Sequence, residues 1–400
     1  MKKMGVYIHI PFCKKKCCYC DFTSYANKQK FCEKYVQALI DEINNFFNNN
    51  EANISTIYIG GGTPSFIDGI YIKRIMDVFR KRNLLKFTKE ITIEVNPGTV
   101  NKEKLKMYKN AGINRLSIGL QSTDDKELEQ IGRIHHYNDF IKTYNWAREV
   151  GFQNINVDLM LGLPNQRVLD IKDSLEKIVK LAPEHISVYS LIVEEDTPIS
   201  KMLEEGTLSV PDEETERNMY WFTKNYLELK GYSHYEISNF ALDGFISEHN
   251  WDCWSQEEYI GFGVAAHSFV NNVRFGNIDD IEEYIHNCEN KEFEKNRIID
   301  EIEKDKFSQE KEFMLIGLRK IDGVFISDFK NKFGENPIFV FKEILNKLVE
   351  EELLEVDFDR IVLTRKGLDL ANLVWEEFVW ISDWGRFFLR KEPSPIRNCI

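Results

Sequence analysis

The chain has 400 residues, 43% apolar and 29% charged, with 22 Gly and 10 Pro, which suits a globular protein with a large core and neither a fibrous nor a disordered one. Its 52 Lys and Arg against 65 Asp and Glu leave a net charge of −13, which argues against non-specific binding to nucleic acid or anionic lipid. No apolar run is long enough to cross a bilayer and the first twelve residues lack a signal-peptide pattern, so a cytoplasmic protein is expected.

From residue 5 to about 229, short β-branched runs alternate with longer amphipathic stretches. Strands are expected at 6–10, 54–60, 90–95, 115–119, 155–159 and 185–189, and helices at 31–47, 70–80, 102–110, 137–150 and 168–181. Such alternation gives a parallel sheet with right-handed crossovers, and six units are too few to close an eightfold barrel. The expected fold is α/β, a partial (β/α)6 TIM-like barrel whose functional residues gather at the C-terminal ends of the strands. A helix at 213–230, an apolar run at 235–240 and a Gly-rich stretch at 261–267 follow. The acidic, Lys-rich run 290–306 reads as a solvated linker or exposed helix. Beyond it, helices at 309–319, 326–333 and 338–350, strands at 353–356 and 360–363 and a last helix at 365–378 make a winged-helix-like α+β module. With 10 Lys and Arg against 15 Asp and Glu over 309–378, the module lacks the basic footprint of a DNA reader. The expected division is a barrel at 1–230, an extension and linker at 231–306, the module at 307–379 and an unassigned tail at 380–400.

Four of the eight cysteines, Cys13, Cys17, Cys18 and Cys20, fall within eight residues. In a chain without an export signal this points to metal or redox chemistry rather than to disulfides. The C-x3-C-x2-C set of Cys13, Cys17 and Cys20 follows directly on the first strand. A short loop can turn three thiolates onto a [4Fe–4S] cluster and leave one iron for an external chelator. The alternative is a structural zinc site using Cys17, Cys20 and two further ligands, although no second C-x2-C or H-x3-H pair is present. Cys18 reads as a packed thiol rather than a ligand. Gly60, Gly61, Gly62 and Thr63 end the second strand, where glycines admit a ligand to the backbone, as they also serve a tight turn. Glu94, Gln121 and Asp158 at strand ends, with Arg133 after the fourth strand, suit ribose hydroxyls and an amino-acid carboxylate; charge pairing at the rim is the plainer reading.

Tyr7-Ile8-His9-Ile10-Pro11-Phe12-Cys13, the cysteine loop, Gly60 to Ser65, Glu94-Val95-Asn96-Pro97, Gly119-Leu120-Gln121-Ser122, Ile131-Gly132-Arg133, Asp158 to Pro164 and Tyr235 to Phe240 together resemble the radical S-adenosylmethionine (SAM) family. The resemblance is to its group of oxygen-independent coproporphyrinogen oxidases (HemN) and haem chaperones (HemW), and it covers about residues 4–378. It implies a [4Fe–4S] cluster on Cys13, Cys17 and Cys20 and SAM as cofactors. Gly61, Gly62 and Thr63 would hold the methionyl part of SAM, and Tyr7 and Tyr19 the adenosyl and cluster side. Two features lean toward the chaperones. Phe22 stands where the oxidases have a further cysteine, and His249-Asn250-Trp251-Asp252-Cys253-Trp254 is similar to the chaperone signature H-N-x-x-Y-W, whose histidine is implicated in haem binding.

An exposed His249 beside tryptophan is the expected haem ligand, against the alternative of a histidine satisfied by a backbone carbonyl. Cys253 replaces the tyrosine of the signature and could offer a thiolate instead. His267 reads as structural, while His9 and His135 resemble family positions without an assignable chemistry. Lys14, Lys15 and Lys16 read as a solvated face, with contact to haem propionates as the alternative. The resemblance implies a chaperone carrying haem as cargo to apo-haemoproteins, those of the respiratory chain in particular. The cluster and SAM would serve structurally or as a trigger, for instance of homodimerisation; peripheral membrane contact stays open, as does enzyme activity. Oxygen-independent coproporphyrinogen III oxidase is the second reading, and a regulator acting through the acidic C-terminal module the third.

Overall fold

A computed structural model describes residues 3–298 and 305–379. The six expected βα units are present as β1 (Lys3–Ile10), α1 (Cys32–Asn49), β2 (Asn53–Gly61), α2 (Gly69–Lys81), β3 (Glu90–Val95), α3 (Lys102–Asn110), β4 (Arg115–Gln121), α4 (Asp125–Gln130), α5 (Tyr137–Val150), β5 (Asn154–Leu161), α6 (Val168–Val179) and β6 (His185–Ser190). Helix starts are fixed by side chains that satisfy free backbone donors: Asp68 caps α2, Asn101 caps α3 and Asp124 caps α4. After α7 (Pro198–Glu204) and α8 (Glu213–Leu229), the chain returns to the sheet as β7 (Ser233–Glu236) and β8 (Asn239–Ala241), makes α9 (Glu248–Trp254), and adds β9 (Tyr259–Phe262), β10 (His267–Val270) and β11 (Val273–Asn277). Helix α10 (Ile281–Glu289) and β12 (Arg297–Ile298) complete this part. The strands form one twelve-stranded sheet in the order β12-β11-β10-β9-β1-β2-β3-β4-β5-β6-β8-β7, in which β1 to β6 are parallel and β9 is parallel to β1. The sheet is open, as six units require.

Strand periodicity separates two environments. Val6, Ile8, Ile57, Ile59, Ile91, Ile93, Leu116, Ile118, Val157, Leu159, Ile186 and Val188 lie in the main hydrophobic core with the buried faces of α1, α2, α3, α5 and α6. The alternate positions, among them Tyr7, His9, Thr56, Tyr58, Glu90, Thr92, Glu94, Arg115, Ser117, Asn156, Asp158, His185 and Ser187, face the concave side and bond to one another across strands. The barrel is thus lined with polar groups, nearly all sealed from solvent. At about 25 cal/mol per Å² of apolar surface removed from water, burial of the outer face stabilises the fold.

The C-terminal part comprises α11 (Lys306–Gly317), β13 (Val324–Phe325), α12 (Ile326–Phe333), α13 (Pro337–Val340), α14 (Lys342–Glu350), β14 (Leu354–Val356), β15 (Arg360–Leu363), α15 (Arg365–Asp369) and α16 (Ala371–Phe378). Its antiparallel sheet has the order β13-β15-β14, and its own core includes Phe313, Met314, Phe329, Phe341, Leu348, Ile361 and Val374. The single helix expected at 338–350 is two, because Phe341 leaves the helical region between them (φ −108°, ψ 25°); Leu370 likewise divides the last helix (φ −124°, ψ 35°). The tail at 380–400 lies outside the described residues. Among the described residues no helix is long and apolar enough to cross a membrane.

This part docks through main chain as well as side chains. The Ile237 N–H donates to Arg319 O and the Ile321 N–H to Tyr235 O, both at 3.1 Å, so residues 319–321 cover the outer edge of β7. The Arg319 guanidinium lies over Trp254 at 4.6 Å and Trp375 at 5.2 Å.

Candidate functional site

The loop after β1 carries the four clustered cysteines and is tied down at both ends. The Tyr25 N–H donates to Pro11 O at 2.7 Å and the Cys13 N–H to Tyr25 O at 3.1 Å, while Gly62 and Thr63 at the end of β2 donate to Ile10 O and Phe12 O. Cys13 is buried, and Cys17 and Cys20 are half-buried. Burial raises the Cys13 and Cys20 thiols, Cys20 to about 12, and the charge of Cys17 raises both further. The three thiols therefore share one neighbourhood.

Cys18 turns away from them. It packs with Ile131, Met160, Leu163, Leu191 and Ile199, its N–H donates to Ile131 O at 3.0 Å, and a Cβ on Gly132 would come within 2.9 Å of its sulfur. Tyr19 joins the same cluster, and burial raises its phenol far above the ordinary range. Among the described residues no three His, Cys, Asp or Glu side chains converge on a single ion, as a closed zinc site demands. A cubane takes one thiolate on each of three separate irons, and three grouped thiols on one loop fit that requirement.

A hydrogen-bonded chain joins two of these thiols. Cys13 Sγ lies 3.4 Å from Thr63 Oγ1, Asn96 Nδ2 donates to the same oxygen at 3.0 Å, Arg133 Nη2 donates to Asn96 Oδ1 at 2.5 Å, and Arg133 Nη1 reaches Cys17 Sγ at 3.6 Å. Lys14, Lys15, Thr99 and Ile134 complete the walls of a small cavity around Cys17, Thr63, Asn96 and Arg133.

Deeper in the barrel, Glu94 accepts from Tyr58 Oη at 3.1 Å and from the Gly61 N–H at 3.2 Å. Burial, and then the Asp158 charge, raise the Glu94 carboxyl to about 8. Asp158 accepts from Asn156 Nδ2 at 2.6 Å and from Ser117, and burial brings it to about 6. Both shifts favour the protonated form, and the two buried carboxyls oppose each other's ionisation. Gln121 sits at a bulge where the β4–β5 register shifts, with φ of 74°. Tyr7 Oη is 3.0 Å from His9 Nδ1, and His9 Nε2 is 2.9 Å from Thr23 O. A carbonyl only accepts, so Nε2 carries the proton and Tyr7 donates to Nδ1; burial lowers His9 to about 4 and keeps it neutral. His135, also buried, lies 3.3 Å from Leu120 O.

Cys13, Cys17, Cys20, Thr63 and Arg133 thus lie together at the mouth, with Gly61, Glu94 and Asp158 below. His249 does not join them. It is 1% exposed, on α9 near the N-terminal ends of the strands, with Nδ1 2.8 Å from Thr56 Oγ1 and its ring stacked 5.3 Å from Tyr58. The first turn of α9 rests on the Glu90 carboxylate, which accepts from the Glu248 and His249 N–H groups at 3.0 and 3.4 Å. The expectation of an exposed histidine is corrected: a helix start docked on a buried carboxylate holds it inside. Cys253 is buried with Tyr259 and Phe269. Sequence reasoning gave no role to Tyr58, which touches both Glu94 and His249, or to Asn96; the signal was the recurrence of polar residues at alternate strand positions.

Residues 7–178 match the radical SAM superfamily and residues 309–370 the HemN C-terminal domain. The chain is 38% identical over 379 residues to "Heme chaperone HemW" of Bacillus subtilis (strain 168), covering 94% of this chain and 99% of that one. It is 35% identical to the protein of the same name from Lactococcus lactis, covering 94% and 98%. The solved structure of coproporphyrinogen III oxidase (HemN) from Escherichia coli superposes with a TM-score of 0.78 at 22% identity, covering 94% of this chain and 90% of that chain, which shows a common fold. With nearly its whole length matched in this way, the chain belongs to the radical SAM superfamily, in the HemN/HemW group that includes the heme chaperones named HemW.

Proposed function

We propose that this protein is a haem chaperone that holds a [4Fe–4S] cluster and SAM at the barrel mouth, takes up haem as cargo and passes it to apo-haemoproteins, those of the respiratory chain in particular. The observation that carries the reading is the 38% identity to a HemW-named relative over 94% of this chain, which runs through the barrel and the C-terminal module alike. Cys13, Cys17 and Cys20 hold the cluster. Gly61, Gly62 and Thr63 receive the methionyl backbone of SAM, Arg133 its carboxylate, Glu94 its ammonium, Gln121 and Asp158 its ribose, and Tyr7 and Tyr19 border the adenosyl and cluster side. A bound cluster with SAM supplies one-electron cleavage of a carbon–sulfur bond; this chain's residues orient the cofactor and keep water away.

His249 Nε2 meets a haem iron only when α9 leaves Thr56 and Glu90, so haem ligation by this residue would be coupled to unseating that helix. The protein would work in the cytoplasm, with homodimerisation and membrane contact as further steps in delivery. The experiment is anaerobic reconstitution followed by three measurements: the Soret band on haem addition, haem transfer to an apo-haemoprotein, and coproporphyrinogen turnover with SAM and reductant. Haem uptake and transfer without turnover support the chaperone. Turnover above that of a cluster-free control replaces it with the oxidase.

A further inference from the structure

We infer that Asn96, at the end of β3, is a positioning residue for the cluster: it steers one hydrogen-bond donor onto Cys13 and a second onto Cys17. The inference rests on the reading that these two cysteines bind the cluster.

The orientation of the Asn96 amide is set by its partners. Nδ2 can only donate and does so to Thr63 Oγ1 at 3.0 Å; Oδ1 can only accept and does so from Arg133 Nη2 at 2.5 Å. Because Nδ2 occupies a lone pair of the Thr63 oxygen, the hydroxyl proton is left to point at Cys13 Sγ, 3.4 Å away. A ligated Cys13 is a thiolate and only accepts, so Thr63 is then the donor. On the other side, Asn96 Oδ1 and Gly119 O both hold Nη2 of Arg133, at 2.5 Å each, and this aims Nη1 at Cys17 Sγ, 3.6 Å away. One neutral side chain thus sets the direction of donors from two different loops.

The sequence makes room for it. A Cβ on Gly119 would lie 2.9 Å from Asn96 Oδ1 and 3.2 Å from Arg133 Nη2, so only glycine lets the pair meet there. The Asn96 N–H donates to Ser65 Oγ at 2.9 Å, which anchors the residue to the turn after β2. Hydrogen bonds donated to cluster sulfurs favour the more negative, reduced form and raise the reduction potential. Asn96 touches neither thiol, and its effect is exerted through Thr63 and Arg133.

The test is anaerobic reconstitution of the full chain with Asn96→Ala, iron and sulfide content as the loading control, and an EPR-monitored redox titration without SAM. The expected result is normal loading with a lower midpoint: at the potential where the wild-type cluster is half reduced, the reduced-to-oxidised ratio falls about tenfold, which for one electron is about 59 mV. Thr63→Ser, which keeps the hydroxyl, retains the wild-type potential. Thr63→Val lowers it, and adding Asn96→Ala to Thr63→Val lowers it by less than Asn96→Ala does alone. A fully loaded Asn96→Ala protein at the wild-type potential overturns the inference. Should Asn96→Ala load too little iron to titrate, Thr63→Val decides, and a wild-type potential there overturns it equally. A wild-type chain that takes up no cluster would instead defeat the reading beneath it, and the loading control distinguishes the two.

Discussion

Single residues in and below the mouth make different demands on the fold. Glu94 is buried with its carboxyl raised to about 8, so the native state favours the protonated form. The sign follows: its contribution to stability is whole below the ordinary carboxylate range and is lost as pH rises toward 8. In cofactor-free protein, Glu94→Gln should leave stability nearly unchanged at pH 4 and raise it by on the order of 5 kcal/mol at pH 9. Urea unfolding at both values checks this, and an equal effect at the two would count against a buried, protonated Glu94. Gly62 carries a different constraint, since a Cβ there would lie 3.0 Å from Cys13 Sγ and 3.0 Å from the Pro11 carbonyl carbon. Gly62→Val should therefore reduce iron loading several-fold, beyond any effect on SAM. Cys18→Ala, on the apolar side of the loop, should keep the iron content of wild type; loss of the cluster in that variant alone would reverse the roles given to Cys17 and Cys18. The cysteine spacing and the Gly triplet are visible in sequence because they lie close together along the chain. The Thr63–Asn96–Arg133 relay is not, because its members come from three separate loops.

Among the elements, α9 is the one least foreseen. Seven residues make two turns and show too little periodicity to register as a helix, yet α9 closes the lower end of the barrel. Its start is held by Ser247 as cap and by Glu90, with Arg115 4.0 Å from the same carboxylate and both charged groups buried. Removing one partner of a buried charged pair leaves the other uncompensated. Glu90→Ala should cost about 3 kcal/mol in denaturant unfolding, and it should loosen α9 more than its surroundings, seen as faster amide exchange at Trp251 than in β3. Uniform acceleration would show instead that Glu90 supports the barrel as a whole. The parallel strands were legible because each repeats an apolar and a polar residue in turn; the histidine on α9 was misread as exposed because its cover, Thr56 and Tyr58, lies nearly 200 residues away in sequence.

For the whole molecule, βα alternation was enough to expect an open barrel with a helix-rich module behind it. The short strands β9 to β12 and the partner of β7 were missed, since each has five residues or fewer and is specified by neighbours rather than by its own pattern. Residues 319–321 cover the β7 edge and Arg319 covers Trp254, so truncation after residue 306 should leave an unpaired edge beside bared tryptophan. The truncated chain is expected to aggregate, measured as the fraction remaining soluble after centrifugation; a soluble, monomeric product would show that the edge is protected in another way. The pairing of β1 with β9 bears on the order in which the protein is made. Strand β1, which carries the cysteine loop, meets its second neighbour only when residues 259–262 leave the ribosome, roughly 250 residues later, a delay of about 12 to 50 s at ordinary rates of synthesis. During that interval the thiols of a nascent chain hang from a strand supported on one side, so delivery of iron and sulfide would find a firm receptor only in a chain extended beyond residue 262.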